Sequence, residues 1–274
     1  MESKQKNLRD IIRDIKSEES GEINFGISVL RANAILPYIL LPFSDMYPNV
    51  EMHFTNRRSQ ELIQLTLDGD LDAAIVLEPE ENASAASKEL NYIELPTETI
   101  YLCVSERLLS KYYGSDADTL KERSRSGADI SDFQKLPFAL LSNQIGEKID
   151  ECFLQAGCTP KTYTRSDSMQ FTTALTVEGV AASFVINTSI FSYRSFLVPG
   201  LNFFPIVTDG KLLQQKWFLV YRKDRYLTQH IKFFFEEILR IASYIDRIPI
   251  ENILRPDTCA QIIKDLRDPH FLME

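Results

Sequence analysis

The residues best suited to chemistry in this chain stand just after short apolar runs. Ser28, Arg31, Ala32 and Asn33 follow the run 23–27 and open a helical pattern. Backbone N–H groups at a helix start favour an anion or a carboxylate. Arg57, Arg58 and Ser59 stand the same way after a second run, where two guanidinium groups could clamp a carboxylate through paired hydrogen bonds. Glu78 follows Leu77 and a third run; it would repel an acidic ligand, so it either turns outward or reads a donor. A plainer reading stands beside each. Ser28 and Asn33 can simply satisfy local backbone, and the arginines can be solvated charge.

Other chemistries find no support. No GxGxxG or GxxxxGK[ST] spacing occurs, which argues against a nucleotide loop. No GxSxG occurs, and no serine has a histidine base implied nearby. His53, His230 and His270 are far apart, and Cys103, Cys152, Cys158 and Cys259 form no CxxC pair or metal-ligand spacing. The chain is therefore read as having no metal, no cofactor and no enzymatic activity, with its thiols reduced. Its net charge of −9 argues against the chain itself binding nucleic acid, and no basic patch dominates the sequence. No run of eighteen apolar residues exists and the first twenty residues lack a signal-peptide core, so a cytoplasmic protein with no membrane contact is expected.

The elements that must position these residues alternate. Ile23, Phe25 and Ile27 predict a strand; Ile35, Leu36, Ile39, Leu40, Phe43 and Tyr47 predict an amphipathic helix with Pro37 in its first turn. Residues 50–55 predict a second strand, SQELIQLTLDG a helix capped by Ser59, and 71–77 a third strand. This β-α-β-α-β order predicts a parallel sheet covered by helices. Residues 1–19 read as a charged helix ended by Gly21, 78–90 as a polar loop, and 106–135 as a short helix followed by a surface loop. The rhythm then resumes through PFALL, GEKIDECFLQAG, TPKTYTR, SMQFTTALTVEG and AASFVI, and closes with KWFLVYRK and the helix 227–245. The aromatics of that helix read as core or dimer contacts. A polar tail, 246–274, carries the short helix AQIIKDL. The second βα module interrupts the first, with passages near 96–99 and 205–213.

An ordered series of residues resembles the effector-binding domain of LysR-type transcriptional regulators over about 20–245. It comprises Gly21, Gly26, Leu36-Pro37, Phe43, Tyr47-Pro48, Leu62, Gly69 and Leu71-Asp72, continuing through DFQKLPFALL, AGCTPK, LTVEGVAASFV and WFLVYRKDRYLT. Ala181 and Ile186 depart from the family's pattern, so the inner turn there is expected to be built differently. The resemblance implies an α/β fold of the type 2 periplasmic-binding-protein-like class, with two Rossmann-like βα lobes, an interlobe cleft and one lobe inserted in the other. Lobe I is then expected over 21–97 plus 208–245 and lobe II over 98–207, with 1–20 a linker-helix remnant and 246–274 a C-terminal extension.

The same resemblance implies an effector cleft that adds Thr97 at the first crossing, Ser142, Asn143 and Gln144 after the first strand of lobe II, and Ser166 and Ser168 around Asp167. Caps on the following helices account for the last two groups equally well. The expected function is sensing of a small organic effector, an anion or an amino-acid-like metabolite, by a homodimer or tetramer. DNA is then contacted only through an N-terminal winged helix-turn-helix absent from this sequence. A solute-binding protein of a transporter, on the same architecture, is the alternative.

Overall fold

The alternating apolar residues Ile23 and Phe25 belong to the second strand of a five-stranded mixed sheet. The computed structural model describes residues 7, 20–79, 88–193, 199–253 and 255–268. Apart from Asn7, the expected N-terminal helix lies outside the described residues, as does most of the loop 78–90. The chain divides into two compact units, Met1–Thr97 with Lys216–Glu274, and Glu98–Gln215.

The first unit begins β1 (Ser20–Gly26), α1 (Val29–Met46), β2 (Asn49–Thr55), α2 (Ser59–Asp68), β3 (Ala73–Leu77) and β4 (Leu90–Glu94). β1 runs parallel to β2 and to β3, as the βαβ order requires. Gly21 lies inside β1, opposite Val50, and so does not end a helix. Gly26 carries a packing constraint: a Cβ there would come within 2.7 Å of Leu62 and 2.8 Å of Leu71, so its bare backbone lets α2 close on the sheet. Because Ser28 caps α1, the helix starts earlier than the apolar pattern suggests, and both Pro37 and Pro42 fall inside it. Pro37 removes the N–H that would bond the Asn33 carbonyl; both residues are exposed, so water can satisfy that group.

The second unit contains β5 (Glu98–Ser105), α3 (Glu106–Tyr113), α4 (Ala117–Ser124), β6 (Pro137–Leu141), α5 (Gln144–Gln155), β7 (Lys161–Ser166), α6 (Met169–Val177), β8 (Ser183–Ile186), α7 (Asn187–Tyr193) and β9 (Leu201–Pro205). Short strands β10 (Val207–Thr208), β11 (Lys211–Leu212) and β12 (Gln214–Gln215) follow. β6 and β7 are parallel, and β5 is antiparallel to β8 and β9. Backbone bonds from Ala139 N–H to the Ala182 carbonyl and from Ala182 N–H to the Pro137 carbonyl, both 2.8 Å, join β6 to the approach of β8. The Phe138 ring lies 5.1 Å from that of Phe153 and 5.9 Å from that of Phe184, forming an aromatic core under this sheet.

The region 106–135 is not a surface loop. It adds α4 and a 3-10 turn, Ile130–Phe133, and it buries Leu120, Ala128, Ile130 and Phe133. Its charged composition hides this burial because only one residue in three or four faces inward. The unit also extends past residue 207, because β12 pairs with β5, Gln214 against Thr99 and Gln215 against Glu98.

The chain then returns to the first unit as β13 (Trp217–Arg222), α8 (Gln229–Asp246), α9 (Ile250–Ile253) and α10 (Pro256–Arg267). The first sheet has the order β2-β1-β3-β13-β4, with β13 antiparallel to both neighbours. Phe234 of α8 packs edge-on to Phe25 and Phe43, with ring centroids 5.0 and 5.8 Å away. The residues after 245 are part of this packing: Ile248, Ile253, Ile262 and Leu266 are buried, and Tyr244 donates to Asp265 at 2.9 Å. Among the described residues, no helix is long and apolar enough to cross a membrane.

Candidate functional site

In the first unit, three parallel strands deliver their polar residues to one edge of the sheet. The Ile27 N–H donates to the Thr55 carbonyl at 3.0 Å, extending the β1–β2 ladder to the point where both chains turn into helices. Ser28 is the N-cap of α1, its hydroxyl accepting from the Arg31 N–H at 3.5 Å, and the Ala32 N–H donates to the Ser28 carbonyl at 2.9 Å. Asn33 is exposed on the first turns of that helix. Arg31 is buried, its guanidinium carbon 4.8 Å from the centre of the Trp217 ring.

The second turn differs from its expected form. Arg58, not Ser59, is the N-cap of α2, and its side chain makes no capping bond. The Ser59 hydroxyl instead accepts from the Leu77 N–H at 3.0 Å, tying the start of α2 to the end of β3. Sequence shows a serine before an apolar stripe and suggests a cap; the competing acceptor role depends on a strand eighteen residues away. Arg57 is exposed, donates to the Asn56 carbonyl at 2.8 Å and stands 4.0 Å from Glu61. Arg58 is exposed as well. Glu78 is half-buried, and its N–H donates to the Lys216 carbonyl at 3.1 Å. The edge thus gathers Ser28, Arg31, Ser59 and Glu78 around the ends of β1, β3 and β13, with Arg57 and Arg58 on its solvent side. Thr97, half-buried, is the last residue of this unit before the chain crosses.

The second unit repeats the layout. Ser142 is exposed after β6, and its N–H donates to the carbonyl of Ser166 at the end of β7, at 2.9 Å. Asn143 caps α5: its Oδ1 accepts from the Ile145 and Gly146 N–H groups at 3.1 and 3.2 Å, and its Nδ2 donates to the Asp167 carbonyl at 3.4 Å. Gln144 begins the helix. The Ser166 hydroxyl accepts from the Ser168 N–H at 3.1 Å, and the Ser168 hydroxyl from the Phe171 N–H at 3.2 Å. All five residues are brought together. Asn143 and Ser168 also occupy the helix-start donors that a ligand would otherwise use.

Two features of the sites carry no local sequence signal. Trp217 is the single tryptophan of the chain, yet its contact with Arg31 depends on the antiparallel return of β13. Glu98, buried at the start of β5, accepts from the Thr188 N–H at 3.3 Å and from the Thr188 hydroxyl, while Asn187 accepts from the Thr99 N–H at 3.2 Å. The described residues contain no His, Cys, Asp and Glu group able to hold a metal. Cys103, Cys152 and Cys158 are free thiols. Burial pushes the Cys152 thiol up to about 11, against a weaker lowering by the Thr208 hydroxyl.

Two βα units with helix-starting polar turns, one interrupting the other in sequence, define a two-unit α/β protein of the type 2 periplasmic-binding-protein-like class. The chain belongs to the family described as the LysR substrate binding domain, which matches residues 16–242. It is 37% identical over 73 residues to the HTH-type transcriptional regulator YtlI of Bacillus subtilis (strain 168), a match covering 27% of this chain and 24% of that protein. The chain spans about a quarter of the length of the curated relatives it matches. In fold it is similar to the Corynebacterium glutamicum OxyR C206 mutant, with a TM-score of 0.63 at 20% identity over 89% of this chain and 74% of that one. It is also similar to the effector binding domain of QuiR in complex with shikimate, with a TM-score of 0.59 at 15% identity over 82% of this chain and 98% of the other.

Proposed function

We propose that this chain senses a small organic ligand for a LysR-type transcriptional regulator, and that the ligand is anionic or amino-acid-like. The observation that carries the reading is the convergence of Ser28, Arg31, Ser59 and Glu78 at one edge of the first sheet. Helix-start N–H groups and a guanidinium suit a carboxylate, and a neighbouring carboxyl suits an ammonium group. Thr97 is proposed to add a contact at that edge and Arg57 and Arg58 to attract the anion from solvent; the polar turns of Ser142, Asn143, Gln144, Ser166 and Ser168 are proposed as a ligand-contacting surface of the second unit in its own right. The protein works as a homodimer or tetramer, and ligand affinity that differs between two subunit arrangements shifts the balance between them. No catalytic step is assigned to it.

A thermal-shift panel of small carboxylates and amino acids tests this reading. At a hundredfold excess over Kd, a true ligand adds about 2.7 kcal/mol and raises the melting midpoint by roughly 5–10 °C. The Arg57→Ala, Arg58→Ala pair should melt like the parent without ligand and need several-fold more ligand for the same shift. A panel with no stabilising member overturns the assignment; normal binding by the double variant removes the two arginines from it.

A further inference from the structure

Trp217 touches two things at once. Its ring face carries the Arg31 guanidinium 4.8 Å from the ring centre, and the two residues are 2% and 4% exposed. A cation over an indole is attracted most strongly when both are out of water. The edge of the same ring faces elsewhere: the indole N–H donates to the Pro96 carbonyl at 2.5 Å. The backbone is fixed too, since the Leu95 N–H donates to the Trp217 carbonyl at 3.1 Å and β13 pairs Trp217 with Leu77.

Those positions matter because of where the chain crosses. It leaves the first unit between Thr97 and Glu98 and returns between Gln215 and Lys216. Pro96 stands just before the outgoing crossing and Trp217 just after the returning one. One side chain therefore holds the first turn of α1 with its face and the outgoing segment with its edge. Phenylalanine would keep a weaker face and lose the edge donor; tyrosine would put its hydroxyl at the wrong end of the ring.

We propose that Trp217 is a positioning residue of the first unit's candidate site, orienting Arg31 through its ring and coupling it to residues 95–97. The ligand half of this proposal rests on the sensing function above; the coupling half does not. An anion drawn to Arg31 lowers the net charge facing the ring and weakens the attraction. The crossing segment then feels ligand binding through one aromatic side chain.

Hydrogen exchange on the full chain, with peptides covering 28–34, 90–97 and 138–153, tests the coupling without ligand. Arg31→Ala should speed exchange roughly fivefold or more in the 90–97 peptide as well as at 28–34, leaving 138–153 unchanged. Arg31→Lys, which keeps the cation, should restore much of the protection. Trp217→Phe should speed exchange at both 28–34 and 90–97. Should Arg31→Ala fail to fold, Arg31→Gln keeps the length, removes the charge and is read the same way. Faster exchange confined to 28–34 in the Arg31 variants overturns the coupling.

Emission from the single tryptophan supplies the second readout. It should change in Arg31→Ala and return towards the parent in Arg31→Lys. Any acid that raises the melting midpoint should also shift this emission. An acid that stabilises the protein with emission unchanged overturns the ligand half. A panel without binders counts against the sensing function itself, while the exchange data still decide the coupling.

Discussion

Asp72 and Arg225 form an ion pair at 2.9 Å with side chains only 2% and 8% exposed. The pair joins three parts of the first unit. Asp72 accepts from the Asn24 N–H at 2.9 Å and returns its own N–H to the Asn24 carbonyl at 2.8 Å, fixing the entry to β3 against β1. Arg225 donates from Nη1 to the Asn7 side-chain oxygen at 2.7 Å, and Asn7 donates to the Asp224 carbonyl at 2.8 Å.

Removing one partner of this pair should therefore cost more than removing both. Asp72→Ala leaves the guanidinium buried beside a missing charge, a loss of about 3–5 kcal/mol. The double variant Asp72→Ala, Arg225→Met keeps apolar volume and removes the stranded charge, so it should recover a substantial part of that loss. Urea midpoints of the two single variants and the double variant check the order. A double variant less stable than either single one would mean that the hydrogen bonds to Asn24 and Asn7, not charge pairing, dominate.

The helix start at α5 separates structural from ligand roles among the candidate residues. Asn143→Ala should cost about 1 kcal/mol by leaving two first-turn N–H groups without their cap, and Asn143→Asp should cost little or nothing because a carboxylate suits a helix start. Gly146→Ala should be worse, roughly 1–3 kcal/mol or more, because a Cβ there would stand 2.1 Å from the Leu141 carbonyl oxygen. Thermal unfolding without any ligand measures all three. If Asn143→Ala were neutral for stability yet weakened ligand binding, its amide would belong to the ligand, not to the helix.

What could be read in the sequence was local, and what could not depended on the return of the chain. The strands β1, β2 and β3 show as apolar runs and the closing turn of α2 shows as Gly69, whose φ of 87° favours glycine. Tyr47-Pro48 and Leu71-Asp72 fix the spacing between them. Ser59 and Pro37 stand elsewhere than the local pattern predicts, because that pattern cannot see a strand end competing for a hydroxyl, or a cap lengthening a helix by several residues. The contacts of Arg31 with Trp217 and of Asp72 with Arg225 bring distant segments together through an antiparallel strand added to a parallel sheet. No periodicity encodes such a pairing. The burial of Leu120, Ile130 and Phe133 leaves no apolar run in the sequence, because their neighbours are almost all polar, charged or small.

The thiols give a pH-dependent prediction with a definite sign. Burial raises the Cys152 thiol from its ordinary value of 9.0 to about 11, so the folded chain holds that proton more tightly than the unfolded one. Its contribution is fully present below pH 9 and is lost as pH rises through 11, an alkaline decline of about 2 kcal/mol across that window. Cys152→Ala should lower stability near neutrality, since it opens a small cavity on the buried face of α5, but it should flatten the slope of the urea midpoint between pH 9 and 11. Burial also raises Cys103 and Cys158, and Cys103 is fully buried in β5 whereas Cys158 is half-exposed. A thiol reagent at pH 8, followed by peptide mapping, should therefore modify Cys158 well before Cys152 or Cys103. Equal labelling of Cys103 and Cys158 in the native protein would require β5 to open on the timescale of the reaction, against its pairing with both β8 and β9.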